Sequence, residues 1–427
     1  MLKYYVQLAF ENIKRAPTLY LLVILTLSLG VGLLCANLAL VNSMASDPIP
    51  HKSDRLFHVS MNTWVNENPH VQPLHIIRYR DAMQILKSDI PVNTAIFFVS
   101  NAYARDANAA DLSRSRAVIR ATNPGFFKLT DAPFAYGNAF THINAKEVVI
   151  GDDLNNKVFG GGNNVGKSIE LAGEIFTVVG ILKPWDLRPL FYHVTENNAF
   201  NPTEDVFLPL ETALDNDMSI GARSSSTDNW RVSSDTRERN VFYMQAWVEL
   251  EKPSDKSAFE NYLKNYSQSL KESGEHPNEI INDLHDVNEW MEKNNVVDQR
   301  IIAFTIATLL FLCVCVFNAS SLLLSKFHAA KFEIGLRRAI GASNQQMLVQ
   351  GLVESTIVGV IASAIALVFS WLFLKASIEF LPMLTNIAVL DIEVLAWGVG
   401  IAIIASNISV IYPLIRANRY TISAELK

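Results

Sequence analysis

Four stretches of the chain stay apolar for the roughly 17–25 residues that a helix needs to cross a bilayer: Leu19 to Val41, Ile301 to Ser325, Leu352 to Leu374 and Val394 to Leu414. They predict membrane spans over 18–44, 301–325, 351–375 and 392–414. Ahead of the first, Leu2, Tyr5, Val6, Ala9, Phe10 and Ile13 recur at helical spacing with charges opposite, predicting an interfacial helix within 1–17 that ends near Pro17. Gly30 and Gly32 leave small patches on the first span where another helix can approach closely.

Between the first two spans the pattern changes to short alternations broken by turn residues. Strands are predicted at Arg55–Met61, Ala95–Val99, Arg116–Thr122, Glu147–Gly151, Ser168–Ala172, Phe176–Leu182 and Val241–Leu250, and helices at His75–Ser88, Asp152–Phe159 and Ser257–Glu272. The expectation is an α-helical membrane protein with four transmembrane helices and, over 45–278, a large α+β domain in two lobes. Trp185 to Asn240 is weakly periodic and rich in Asn, Ser and Asp, and reads as an elaborated loop or surface insertion. Ile280, Leu284, Val287 and Met291 then fall four, three and four apart, predicting a stalk helix over 279–300 whose seam meets either a partner helix or the chain's own first-span extension.

Composition agrees with this division, since half of the 427 residues are hydrophobic and the mean hydropathy is +0.18. Charge orients it, because Lys and Arg in short loops beside spans stay in the cytoplasm. Lys3, Lys14 and Arg15 precede the first span, Lys326, Lys331, Arg337 and Arg338 follow the second, and Arg416, Arg419 and Lys427 follow the fourth. The loop over 376–391 adjoins only Lys375, with Glu379 and Asp391. Both termini, the 326–350 loop and the 415–427 tail are thus expected in the cytoplasm, and the large domain outside.

Residues 45–300 hold 35 acidic against 25 basic side chains, which disfavours nucleic acid as a partner. Cys35, Cys313 and Cys315 all lie in predicted spans, so the outer domain must be held by its core. Ser43-Met-Ala45 could pass as a signal-peptidase site, but the apolar run is longer than a signal sequence needs and is expected to stay as an anchor.

Gly161-Gly-Asn-Asn-Val-Gly-Lys-Ser168 satisfies the G-x-x-x-x-G-K-[ST] phosphate-loop spacing. That loop works when a strand delivers the glycines and a helix begins at the Lys-Ser, whereas here a helix is predicted before and a strand after. The segment is expected to be a tight turn. His51, His58, His70 and His75 have no metal-site spacing and are expected at the surface, with no metal bound. Within the spans, Glu354 either serves a function or snorkels to the interface, and Asn318 can hydrogen-bond across helices.

Glu333-Ile-Gly-Leu-Arg-Arg-Ala-Ile-Gly-Ala-Ser343 after the second span, with Asn318, Glu354-Ser355 and the closing Pro413, Arg416, Ala417, Arg419, Leu426 and Lys427, resembles the MacB/FtsX family of ABC-transporter permeases. Ala121-Thr-Asn-Pro-Gly-Phe-Phe127, Val149-Ile-Gly151, Val158-Phe-Gly160, Val165-Gly-Lys-Ser168 and Phe176-Thr-Val-Val-Gly180 resemble its MacB-type periplasmic core. Ala330 and Phe332 depart from the basic residues that usually flank Lys331.

The resemblance implies a permease of the bacterial inner membrane that hydrolyses no ATP and binds no cofactor itself. ATP and Mg would sit on a separate ABC ATPase subunit, two copies per complex, docked on Glu333, Ile334, Gly335, Leu336, Arg337, Arg338, Ala339, Gly341 and Ala342. A second permease copy or paralogue, membrane lipid, and a periplasmic adaptor with an outer-membrane channel are the other implied partners. The implied function is mechanotransmission that drives export of a drug, peptide or similar substrate. An FtsX-like signal transmitter and a lipoprotein-extraction permease are the alternatives.

Overall fold

A computed structural model of the protein describes residues 2–65, 74–109, 113–185, 187–194, 199–218, 220, 225–226, 235–238, 240–380, 385 and 390–417. His70, Arg419, Leu426, Lys427 and parts of 185–240, 376–391 and 415–427 lie outside these. The chain forms two compact units, Met1–Ser46 with Val297–Lys427, and Asp47–Val296. It begins with α1 (Leu2–Arg15) and α2 (Pro17–Ala45), the latter with proline in its first turn, where no amide hydrogen is needed.

The outer unit contains, in order, β1 (Leu56–Met61), β2 (Ile77–Arg78), α3 (Tyr79–Leu86), β3 (Asn93–Asp106), β4 (Ser115–Thr122), α4 (Gly125–Leu129), β5 (Phe134–Gly137), β6 (Glu147–Ile150), α5 (Asp152–Phe159), β7 (Ser168–Leu171) and β8 (Glu174–Leu182). β9 (Val206–Pro209), α6 (Leu210–Asp215), β10 (Ser225–Ser226), β11 (Val241–Glu249), α7 (Pro253–Glu272), β12 (Asn282–Asp286) and α8 (Val287–Lys293) complete it. The strands, expected in two lobes, belong to one 12-stranded sheet with the path β12-β1-β11-β3-β4-β9-β6-β8-β5; off this path β7 pairs with β3 and β8, and β2 and β10 with β11. All nine residues of β11 are buried, as suits a largely apolar strand in mid-sheet, and they include Gln245 and Glu249.

Two sequence expectations change here. The 185–240 stretch contains β9, which pairs parallel with β4 and antiparallel with β6, so part of it is sheet interior. Four residues are too few to show a period, yet all four are buried.

The predicted stalk helix over 279–300 is replaced by a strand and a short helix. Leu284 lies opposite Val59 in the β1–β12 ladder, and a capping box at Asp286 and Glu289 starts α8 afresh at Val287. Ile280 falls in the preceding irregular stretch, while Leu284, Val287 and Met291 are buried in this unit. Their spacing reflects a strand face followed by one helix face, not a seam.

His58 is fully buried instead of at the surface: its ring stacks on Trp290 with centroids 3.5 Å apart, and His75 meets the same indole edge-on at 5.3 Å. Burial, then the nearby His75 and His285, push the His58 imidazole well below its ordinary value of 6.5. A histidine that the fold holds neutral is charged more readily in the unfolded chain, so its contribution is complete above 6.5 and is lost as the pH falls below it. Melting of the full chain, followed by tryptophan fluorescence, is expected to lose about 1.4 kcal/mol per pH unit from this group below pH 6.5. His276 and His285 are lowered too and add to that slope. His58→Phe keeps the stack and is expected to flatten the profile; an unchanged slope would exclude His58 as its source.

The membrane unit is completed by α9 (Gln299–Ala329), α10 (Lys331–Ala339), α11 (Asn344–Phe380) and α12 (Ile392–Ala417). α2, α9, α11 and α12 have the length and apolarity of spans. α2 is the most enclosed, and its glycines make this possible. A Cβ on Gly32 would lie 2.8 Å from the Ala366 carbonyl oxygen of α11, and one on Gly30 would lie 3.0 Å from Cys315 Sγ of α9.

Candidate functional site

The corner between α9 and α11 is built from short-range signals. α10 starts directly after Ala330, which closes α9, and ends in a Schellman motif: the Ala342 amide donates to the Arg337 carbonyl and the Gly341 amide to the Arg338 carbonyl, both at 3.1 Å. Gly341 sits at φ +108°, a conformation that costs other residues about 1–2 kcal/mol. Ser343 and Gln346 then form the capping box of α11: the Ser343 amide donates to Gln346 Oε1 at 2.9 Å and the Gln346 amide to Ser343 Oγ at 3.2 Å. Of the residues that the resemblance assigns to docking, Glu333 to Ala339 lie in α10, while Gly341 and Ala342 belong to the turn.

α10 has two faces. Ile334 and Gly335 are buried in the membrane unit, Ile334 joining its core. Glu333 accepts a hydrogen bond from Arg337 and lies 3.7 Å from Arg15 of α1, while Arg337 also donates to Gln350 of α11 at 3.2 Å. Arg337 thus braces the corner. On the other side Phe332, Leu336 and Ile340, four residues apart, are exposed by 57%, 44% and 78%. Ala339 is also exposed, and Arg338 is half-buried.

Behind α10 lies a cavity of about 430 Å³ whose lining includes Arg15, Leu19, Lys326, Arg337, Met347 and Glu354. Glu354 does not snorkel. Its buried carboxylate accepts hydrogen bonds from Tyr20 of α2, from Lys326 of α9 and, at 2.6 Å, from Asn12 Nδ2 of α1. Such convergence satisfies a buried carboxylate that would otherwise be costly to hold in a span. The adjacent Ser355 points the other way, donating to Asn407 Oδ1 of α12 at 2.6 Å, while Ser406 donates to the Ser355 carbonyl at 2.6 Å. Two neighbouring residues of α11 thus tie it to α1, α2, α9 and α12.

Asn12, Tyr20 and Asn407 were not singled out by sequence, and Lys326 was read only as a charge that orients the spans. Each is an ordinary polar or amphipathic residue at its position, and only the packing of α1, α2, α9 and α12 against α11 brings them to Glu354 and Ser355. Asn318 lies on the exposed face of α9.

The phosphate-loop lookalike is placed as predicted: α5 precedes the glycines, Gly160, Gly161 and Gly162 have positive φ, and β7 follows Lys167. No helix begins at Ser168 to receive a phosphate. Among the described residues no group of three or more His, Cys, Asp or Glu side chains converges as a metal site.

Residues 20–266 match the MacB-like periplasmic core domain family and residues 305–422 the FtsX-like permease C-terminal family. No curated protein matches the chain. Among solved structures, the periplasmic region of MacB from Actinobacillus actinomycetemcomitans is 12% identical, covering 58% of this chain and 96% of that one at a TM-score of 0.36. The extracellular domain of the ABC-type transporter YknZ from Gram-positive bacteria is 13% identical, covering 54% and 100% at 0.35. A domain of a permease protein from Porphyromonas gingivalis is 12% identical, covering 56% and 92% at 0.38. With its core domain and its permease segment both matched, the chain belongs to the MacB/FtsX family of ABC-transporter permeases.

Proposed function

We propose that this permease carries the work of a separate ATPase across the bacterial inner membrane. The observation that supports this most is the Phe332, Leu336 and Ile340 stripe, an apolar strip left bare on a short helix whose other face is locked to α1 and α11. In this reading both termini and α10 face the cytoplasm, and one copy of an ABC ATPase docks on α10 of each of two permeases. ATP and Mg are held by the ATPase. Closure of the ATPase pair moves α10, the Glu354 cluster passes that movement to α1, α2 and α9, and the outer domain responds. With a periplasmic adaptor and outer-membrane channel, this drives export of a drug, peptide or similar substrate without passage between the spans.

Leu336→Asp with Ile340→Asp is expected to abolish co-purification with the ATPase encoded beside this chain, and stimulation of its hydrolysis. Pairing that survives both changes removes the docking reading. Capture of a cell-wall hydrolase instead of an adaptor and channel would favour an FtsX-like signal transmitter. Lipoprotein retained in the inner membrane on depletion would favour extraction.

A further inference from the structure

The cavity behind α10 has a charged mouth and an apolar interior. Arg15, Lys326 and Arg337 share its lining with the carboxylates of Glu333 and Glu354, an excess of one positive charge. Four of these five charges are engaged with one another: Lys326 donates to Glu354, and Arg337 to Glu333. Arg15 is the remainder. Its guanidinium makes no hydrogen bond among the described residues, the Glu333 carboxylate oxygen lies 3.7 Å away, and the side chain is 63% exposed. Away from this mouth the walls are Leu19 of α2, Ile334 of α10, Met347 of α11 and Leu414 of α12, the last three buried. Water suits such walls poorly, because it needs two to four polar partners and most of those present are bonded to each other.

We propose that this cavity binds one anionic phospholipid, its phosphate on Arg15 and an acyl chain among Leu19, Ile334, Met347 and Leu414. The cavity is formed by helices of the membrane unit, and the medium around them offers molecules with a phosphate at one end and hydrocarbon at the other. Basic pockets between spans on the cytoplasmic side select such headgroups. A guanidinium presents a planar fork of donors that matches phosphate oxygens, and Arg15 stands in the basic last turn of α1 with its donors unused. A zwitterionic headgroup brings its own cation beside Arg15 and is disfavoured, so the net positive lining selects for anionic lipid. A lipid held there bridges α1 and α10 and steadies the corner from behind. The inference rests on the reading that this end of the spans faces the cytoplasm, and adds a lipid to the corner on which the ATPase docks.

The test titrates short-chain lipid onto the full chain in detergent and counts one-to-one adducts by native mass spectrometry. Dioctanoyl-phosphatidylglycerol is expected to bind more tightly than dioctanoyl-phosphatidylcholine. Arg15→Gln is expected to weaken the phosphatidylglycerol adduct about 5-fold, the effect of one basic residue at a headgroup. Lys14→Gln, next to it on α1 but outside the lining, is expected to leave the adduct unchanged. Leu19→Trp keeps every charge and fills the apolar wall, and is expected to weaken the adduct as well. Melting gives a second readout: phosphatidylglycerol should raise the midpoint of the wild type and not that of Arg15→Gln. Equal affinity for the two lipids, an unmoved adduct in Arg15→Gln or Leu19→Trp, an equal loss in Lys14→Gln, or displacement of the lipid by inorganic phosphate would each overturn the inference. The assay contains no ATPase and no membrane sidedness. Lipid binding that persists while ATPase docking fails to depend on Leu336 and Ile340 therefore removes the docking reading alone, and the opposite pattern removes the lipid alone.

Discussion

Replacing Glu354 by alanine is expected to cost about 3 kcal/mol of membrane-unit stability, at the lower end of the roughly 3–5 kcal/mol seen when one partner of a buried ion pair is removed. The lower end applies because the Lys326 side chain keeps 15% exposure and can partly recover water. The loss is larger than a missing hydrogen bond because three donors converge on this carboxylate from three helices, and its removal leaves the largely buried Lys326 ammonium without a counter-charge, beside the Tyr20 hydroxyl and the Tyr20 and Phe327 rings. Lys326→Met alone should be nearly as harmful, since it leaves the carboxylate without its counter-charge.

The two changes combined, as Glu354→Gln with Lys326→Met, should recover most of the loss, because neither charge is then buried. Thermal melting of the full chain in detergent measures all three variants. A double variant no better than the worse single one would mean that the pair does not act as a unit. The same experiment bears on function: Glu354→Gln leaves α10 intact, so ATPase binding should persist while coupling to the outer domain weakens.

Arg120→Ala is the second large effect, expected to cost about 3–5 kcal/mol in the outer unit. Arg120 and Glu204 form an ion pair with 0% and 1% of their side chains exposed. The guanidinium lies over Phe97 at 4.5 Å and over Tyr192 at 4.6 Å, which compensates Nε and Nη1, the two nitrogens without a hydrogen-bond partner among the described residues. Alanine would leave Glu204 buried with only Tyr192 at 3.3 Å and His193 at 3.4 Å.

Burial by itself raises the Glu204 carboxyl, but Arg120 and then His193 outweigh it and hold the group well below the usual carboxylate range. A depressed carboxylate contributes stability that is complete above its unfolded value of 4.5 and is lost as the pH falls further. The wild type should therefore show an acid-destabilised step below pH 4.5, distinct from the His58 step that begins near 6.5. In Arg120→Ala the lower step should shrink or reverse, because Glu204 then gains by protonation. Melting from pH 7.5 to 3.5 separates the two groups, and an unaltered lower step would clear Glu204 of that role.

The legibility of the chain followed the range of the forces involved. α5 was predicted over the residues it occupies, and the spans to within a few residues at most ends, because period and length are local properties. Gly341 and the Ser343–Gln346 box lie in one short window, and a reading of cap signals alone could have placed the end of α10 before the turn. β9 was missed because its four residues carry no period of their own; it is a strand because β4 and β6 offer it hydrogen bonds on both sides. The stalk seam failed for a related reason. Ile280, Leu284, Val287 and Met291 satisfy helical spacing, but pairing with β1 and the cap at Asp286 stabilise a strand followed by a short helix.

The sequence by itself determined the four spans, the α+β character of the outer domain, the reversed order around Lys167 that rules out a phosphate loop, and the polar corner after the second span. These depend on periodicity, apolar length and the chemistry of neighbouring residues. Only the tertiary structure decided that Arg337 turns inward while Phe332, Leu336 and Ile340 remain bare, and that Glu354 is a buried junction instead of an interfacial charge. It also decided that His58 belongs to the core and that Asn318 stands unpaired on the face of α9. The physical reason is that burial and charge pairing are properties of neighbours brought together from distant parts of the chain: Asn12, Tyr20 and Lys326 lie 342, 334 and 28 residues from the carboxylate they share.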